Sequence, residues 1–562
     1  MVIKILLVIL ALGLLFIWKS TQDKKAYYAR LGALFKEEWG MYTRDEYSDR
    51  IMENIRYYHE QNKTENSIDS ITWNDLEMET IFRYMNHTRT SAGEEYLYHI
   101  LHTLEFSEDV LEKREAAIRG LQKDEEQRTE LELALYDIGK TDHISVYEFL
   151  SETKKLRHIK RFPHIFAAIT LLLVMLSMLF TPALSIMLLF LDMGINAYFY
   201  YREKGKIIND IALFEFILGT IRQCDAIASL SIDGCKPYLE QLKELSAKFG
   251  KFSRLHFLVS GGSTMSGNLF DSLFDYVRIL FHVDLVKLGT MVQEVKKYEK
   301  ELLEIYHIIG FLDSMLAVAS YREMLEGYTL PVFQAGGSVG NIQRMEIKGL
   351  YHPLVPNPVK NDVSTKRCML LTGSNASGKS TFIKAVAINA LFAQTIHTVL
   401  AEAYQACFFR IYSSMALRDD ILSNESYFIV EIKSLKRIFS AVKKSSDIPV
   451  LCFVDEILRG TNTVERVAAS AELLQAISAE RAMCFAATHD IELTYLLEGD
   501  FENYHFEEQL GKDDISFDYQ LRKGRADSRN AIQLLSVIGF EERLVQKAQE
   551  RVGHFLKNGV WS

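Results

Sequence analysis

Two blocks of the chain are apolar on every side of a helix. Val2 to Trp18 reads VIKILLVILALGLLFIW, interrupted by Lys4 and followed by Lys19, Lys24 and Lys25. The second block lies between Arg161 and Arg202, where Asp192 is the sole acidic or basic residue apart from histidine. It divides at Thr181-Pro182 into IFAAITLLLVMLSMLF, residues 165–180, and ALSIMLLFLDMGINAYFYY, residues 183–201. A membrane-spanning helix needs about 17–25 apolar residues, and each run is of that order. The pattern predicts an anchor over 1–20 and a helical hairpin over 163–201. A cleaved signal peptide is the alternative for the first block, but no small-x-small cleavage site follows it. A buried hairpin in a soluble core is the alternative for the second, although core helices are seldom apolar on every face. Lys154, Lys155, Arg157, Lys160 and Arg161 precede the hairpin, and Arg202, Lys204 and Lys206 follow it. This placement puts both large flanking regions in the cytoplasm and the N-terminus outside. Tyr198 to Tyr201 form an aromatic belt. Asp192 and Asn196 either mark a polar site within the membrane or, near a helix end, reach interfacial water.

The remaining pattern changes character once. Residues 21–162 and 202–335 carry long helix-compatible runs of Leu, Glu, Lys and Ala, and Glu294 to Glu301 is a charged, solvated helix face. From 336 to 562 short apolar runs alternate with helical ones: CMLL at 368–371, LCFV at 451–454 and MCFAAT at 483–488. Continuous apolar runs of that length are strands buried on both faces, which predicts an α/β domain with a parallel sheet. A chain of 562 residues is too long for one core. Its net charge of −10 provides no overall basic footprint, so nucleic-acid contact would need a local patch. The six cysteines are scattered without a CxxC pair and suit buried free thiols in a reducing compartment.

The chemistry concentrates at three strand ends. After CMLL comes Gly373-Ser374-Asn375-Ala376-Ser377-Gly378-Lys379-Ser380-Thr381, a complete GxxxxGK[ST] phosphate loop leading into a helix. Glycines let backbone N–H groups approach phosphates at a helix N-terminus. Lys379 is placed to reach the β- and γ-phosphates, and Ser380 to ligate Mg²⁺. After LCFV come Asp455, a second Mg²⁺ ligand, and Glu456, positioned as general base for attacking water. A lone Asp-Glu at this position is otherwise a solvated strand end. His489 follows MCFAAT, where open α/β sheets bind ligands, and is either a γ-phosphate contact or a structural histidine.

Together these residues resemble the ATPase domain of the MutS family of DNA mismatch-repair proteins, a branch of the ABC-type ATPases. TGSNASGKST is similar to the family's TGPNMGGKST and keeps its asparagine as Asn375; DEILRGTNT matches DEIGRGTST, and FAATHDIEL matches its FATH-x-x-EL. DDILSNESYFIVEI, residues 419–432, stands where the family has DDLxxGRSTFxxEM. The resemblance implies that Ser426 crosses a dimer interface to the partner's nucleotide. It also implies ATP and Mg²⁺ as cofactors, a homodimer through the ATPase domain, and DNA as a partner. The tail from Tyr519 resembles the family's closing helices, and MNHTRTSAGEEYLYHIL, residues 85–101, the start of its core domain. The run 271–326 is similar to its lever helices. The fold class expected is thus an α/β P-loop NTPase of ABC type behind a mostly helical core and lever, with N-terminal and internal transmembrane helices.

The departures are specific. About 80 residues precede the core, with no Phe-x-Glu in a context suited to a mismatch wedge, so mismatch discrimination is expected to be absent, and the nicking branch of the family is not expected. Asn424-Glu425 replaces the family's Gly-Arg, and His352 to Pro358 lacks the aromatic that stacks on adenine. Two functions follow: a multi-pass cell-membrane ATPase, ATPase domain cytoplasmic, coupled to DNA; or an ABC-type ATPase driving a protein or membrane partner without DNA.

Overall fold

The computed structural model describes residues 2–42, 47–141, 145–151, 161–205, 208–249, 276–334, 344–374, 377–415, 427–444, 447–459, 461–510, 515–526, 532, 535 and 539–559. The chain forms two compact units. One takes Met1–Asn62, Met85–His99 and Glu115–Met324; the other takes Lys63–Tyr84, Ile100–Arg114 and Leu325–Ser562. The helical region expected over 21–162 therefore supplies segments to both.

The first unit is helical throughout its described residues. Its opening helix, Val2–Glu38, does not stop at the expected anchor boundary near residue 20. Lys19 to Lys25 contain neither glycine nor proline, so nothing breaks the hydrogen-bond ladder there. The later turns are held by the unit's own core. Phe35 is buried beneath the Arg89 guanidinium, 3.9 Å from its ring centre, and Tyr28 Oη donates to Asp137 at 2.7 Å. At the centre runs Glu299–Met324, separated from Val283–Lys297 at Tyr298. This helix is nearly all buried over its apolar stretch, yet it carries Asp313, which is fully buried. Asp313 accepts from the Arg89 and Thr90 N–H groups and from Thr90 Oγ1, the last at 2.6 Å. Thr90 Oγ1 in turn accepts from Gly93 N–H and caps the helix Ser91–His102. A Cβ on Gly93 would lie 2.1 Å from Asp313 Oδ2, which is why the TxTSxG stretch tolerates only glycine there.

The hairpin is present with shifted bounds: Arg161–Ser177, then Pro182–Lys204, with Thr181 as N-cap and Pro182 in the first turn. Ser177 and Ser185 share a 2.8 Å hydrogen bond near the tip, and Asn196 Nδ2 donates to Ala167 O at 3.2 Å nearer the base. Asn196 is thus buried against the other arm rather than reaching interfacial water. Outward faces are apolar and open, with Leu179 77%, Phe180 80% and Phe190 70% exposed. Among the described residues two helices are long and apolar enough to cross a membrane, Pro182–Lys204 and Glu299–Met324. Burial marks the second as a core helix, and Arg161–Ser177 is apolar but shorter.

The second unit contains β1 (Val332–Phe333), β2 (Met345–Leu350), β3 (Asn361–Thr365), β4 (Cys368–Thr372), β5 (Ala403–Ala406), β6 (Arg410–Ser414), β7 (Val450–Asp455), β8 (Ala482–Ala487), β9 (Phe501–His505), β10 (Glu508–Leu510), β11 (Ile515–Phe517) and β12 (Arg522–Lys523). The main sheet has the order β12-β9-β4-β8-β7-β6, and a smaller one has β1-β5-β2-β3. β9, β4, β8, β7 and β6 run parallel; β12 is antiparallel. β4 and β8 are buried along their whole length, as the continuous apolar runs require. Register places Phe453 opposite Phe485, their rings stacked 5.5 Å apart, and Cys452 opposite Cys484. All six cysteines are free and buried. The edge at β6 is covered by the helix Ser70–Asp75, whose Asp75 accepts from Ser413 Oγ at 2.7 Å.

Candidate nucleotide site

Because β4, β8 and β7 are parallel neighbours, their C-terminal ends face one edge of the sheet, where such folds bind ligands. β4 ends at Thr372 and the chain turns into the helix Lys379–Thr395. Gly378 is its N-cap at φ 97°, a left-handed conformation that strains any side chain, and its Cβ would meet the Tyr519 ring at 3.0 Å. Ser377 Oγ donates to Ser374 O at 2.8 Å and closes the loop. Lys379 is buried, its Nζ donating to the carbonyls of Gly373 at 2.8 Å and Ser374 at 2.7 Å. Burial pulls its ammonium down to about 8, against the opposing pull of Asp455, Glu456 and Glu508.

Ser380 Oγ donates to Asp455 Oδ2 at 2.5 Å. Asp455 Oδ1 is buried with no hydrogen-bond partner among the described residues, and burial raises the carboxyl above its ordinary range. The Ser380 hydroxyl and the Asp455 carboxylate, one of its oxygens unpartnered, form a donor pair of the kind a hard divalent cation takes. Glu456 leaves β7 with φ 53° and donates its N–H to Ala487 O at 3.0 Å. Its carboxylate is held from two sides, by His489 Nε2 at 2.8 Å and by Arg459 Nη1 at 3.0 Å. Asp490, beside His489, is gripped by Arg466 through two hydrogen bonds of 2.8 and 2.5 Å.

The structure thus brings Lys379, Ser380, Asp455, Glu456 and His489 together around the loop formed by Gly373, Ser374, Ser377 and Gly378. Thr381 is exposed in the first helical turn. Asn375, Ala376 and Ser426 lie outside the described residues. Three neighbours were not singled out from sequence. Arg459 is inside the DEILRG stretch, but spacing does not reveal that it turns back onto Glu456. Glu431 sits beneath the same loop. Tyr519 reaches Gly378 because Asn361 clamps its segment, donating to Tyr519 O at 2.9 Å and accepting from Leu521 N–H at 2.7 Å. No local pattern could have announced that pairing.

Residues 369–555 match the family model of MutS domain V. Over that stretch the chain is similar to the MutS family. It is 32% identical over 279 residues to the DNA mismatch repair protein MutS of Thermotoga petrophila, and that match covers 48% of this chain and 34% of the relative. The Thermotoga maritima MutS is also 32% identical, over 282 residues, with the same coverage. A Thermus thermophilus MutS is 29% identical over 262 residues, covering 46% of this chain and 31% of its own. The chain spans about a third of the length of the curated relatives it matches.

Proposed function

We propose that this chain, similar to MutS over its C-terminal part, binds and hydrolyses ATP with Mg²⁺ as a homodimer and couples the cycle to DNA. The convergence of three parallel strand ends on one edge supports this reading best. Lys379 presents a cation to the β- and γ-phosphates at the N-terminus of the helix Lys379–Thr395. Ser380 and Asp455 would hold Mg²⁺, which when bound would supply positive charge to offset that of the phosphates. Glu456 accepts the proton of the attacking water, its carboxylate aimed by His489 and Arg459. His489, beside Glu456, would also contact the γ-phosphate in this reading. By the family resemblance, Ser426 of one chain completes the nucleotide site of the other. The relatives' designation as DNA mismatch repair proteins supports DNA as the ligand.

The deciding experiment is ATP hydrolysis by the detergent-solubilised protein with no DNA and with duplex, mismatched or branched DNA across a salt series. DNA stimulation that fades as salt rises is expected, because phosphate contacts release counterions. Equal rates with every DNA would overturn the coupling. The nucleotide itself offers a second check. Lys379 titrates near 8, and its deprotonated form has no charge to give a phosphate. Nucleotide affinity measured by calorimetry should therefore weaken above pH 8, by up to about ten-fold per pH unit.

The open apolar faces of the hairpin favour a membrane attachment, with the ATPase unit on the cytoplasmic side as the flanking charges direct. They also support the alternative of an ABC-type ATPase driving a protein or membrane partner without DNA. A chain lacking residues 1–20 should still float with phosphatidylglycerol-containing vesicles, and should stay in the soluble fraction once 163–201 is replaced by a short Gly-Ser linker. Solubility of the first variant without detergent would refute attachment through the hairpin.

A further inference from the structure

Glu431 is a buried carboxylate with no cation beside it among the contacts described, 3% exposed, on the helix Tyr427–Lys444 that packs against β6 and β7. Burying such a group is costly unless its hydrogen bonds are used. Its Oε1 accepts the backbone N–H of Leu458, while Oε2 is buried with no hydrogen-bond partner among the described residues. Burial pushes its pKa up and Glu456 adds to that, while the Leu458 and Arg459 amides oppose the shift.

The loop it touches is strained. Glu456 and Leu458 both adopt left-handed backbone, at φ 53° and 56°, where residues with side chains are uncommon and cost on the order of 1 kcal/mol or more each. Such a conformation persists only where its surroundings hold it. Two ties are present: Glu456 N–H to Ala487 O on β8, and Leu458 N–H to Glu431. Between them the Glu456 carboxylate meets His489 and Arg459.

We infer that Glu431 is a positioning residue for hydrolysis: it pins the 455–459 loop so that the Glu456 carboxylate faces the attacking water. The inference rests on the ATPase reading of Glu456. It assigns a reason for keeping a carboxylate in an apolar setting, since a backbone N–H needs an acceptor and a leucine would leave Leu458 N–H unsatisfied. The helix bearing Glu431 begins directly after Ser426 in sequence, so the pin joins the catalytic loop to the segment that the resemblance directs at the partner's nucleotide.

The test compares Glu431→Ala and Glu431→Gln in the full chain. Glu431→Ala should lower kcat roughly 10- to 100-fold with KM for ATP changed by less than about two-fold. Glu431→Gln, whose amide oxygen accepts the same N–H, should recover most of the rate. Amide hydrogen exchange over residues 455–462 supplies a readout independent of turnover: at least about ten-fold faster in Glu431→Ala and parental in Glu431→Gln. Unchanged exchange in Glu431→Ala overturns the inference, as does an equal loss of rate in both variants. A parent protein that hydrolyses no ATP would instead overturn the ATPase reading, and exchange alone would then decide whether Glu431 holds the loop.

Discussion

A Glu456→Gln chain should bind Mg-ATP with parental affinity and turn it over at least about 100-fold more slowly, the usual span for a lost general base being 10²–10⁴. The substitution preserves volume and an oxygen for His489 or Arg459, so the loop keeps its shape and only the basicity is removed. The geometry makes this a clean test. Glu456 is set on the edge by its N–H to Ala487 and held at both carboxylate oxygens, 2.8 Å from His489 and 3.0 Å from Arg459. Asp455→Asn should behave differently. Asp455 meets Ser380 and carries the orphaned Oδ1, so its loss should weaken Mg²⁺-dependent nucleotide binding as well as turnover. Stopped-flow binding of a fluorescent ATP analogue beside steady-state hydrolysis separates the two. Parental turnover in Glu456→Gln would remove Glu456 from the chemistry.

Asp313→Ala should unfold the helical unit or weaken it by about 3–5 kcal/mol, the scale for breaking a buried charged network. Three donors lose their acceptor at once: Arg89 N–H, Thr90 N–H and Thr90 Oγ1. The cap of Ser91–His102 loosens with them, because Thr90 Oγ1 is held in place by Asp313 while it receives Gly93 N–H. Gly93→Ala should be comparably damaging, its methyl group driven into the Asp313 carboxylate. Exchange protection of residues 91–102, read beside thermal melting, is the measurement; near-parental melting for Asp313→Ala would contradict the role assigned to it.

The same residue carries a pH signature. Burial raises Asp313 from 3.8 to about 6, and Glu132 from 4.5 to about 7 despite the opposing Arg89. Below pH 4 both folded and unfolded chains hold these protons. Between the unfolded and folded values the folded chain alone keeps them, so raising the pH draws protein toward the unfolded state. These two groups therefore contribute stability that is present at low pH and lost as pH rises through about 6 to 7. Asp313→Asn should flatten the lower part of that slope.

The candidate site was legible in sequence because its chemistry is local. The phosphate loop, Asp455-Glu456 and His489 each follow an apolar run, and a run buried on both faces signals an interior parallel strand. The hairpin was legible for the same reason, since apolarity on every face needs no partner to be recognised. Its bounds moved because the Ser177, Thr181 and Ser185 hydroxyls organise the turn, and hydroxyl pairing has no periodic trace.

The sequence by itself determined the alternation of strand and helix, the residue types at each strand end, and the apolar blocks. Tertiary structure alone decided the strand order that sets β8 between β4 and β7, and with it which strand ends share an edge. It also decided that Arg459 and His489 converge on Glu456, that Tyr519 covers Gly378, that Asn196 turns inward, and that Glu431 meets Leu458. Those pairings join positions far apart in the chain or on a strained turn. Hydrophobic period reports which face a residue shares with its neighbours along the chain, and carries no information about which distant backbone amide it will meet.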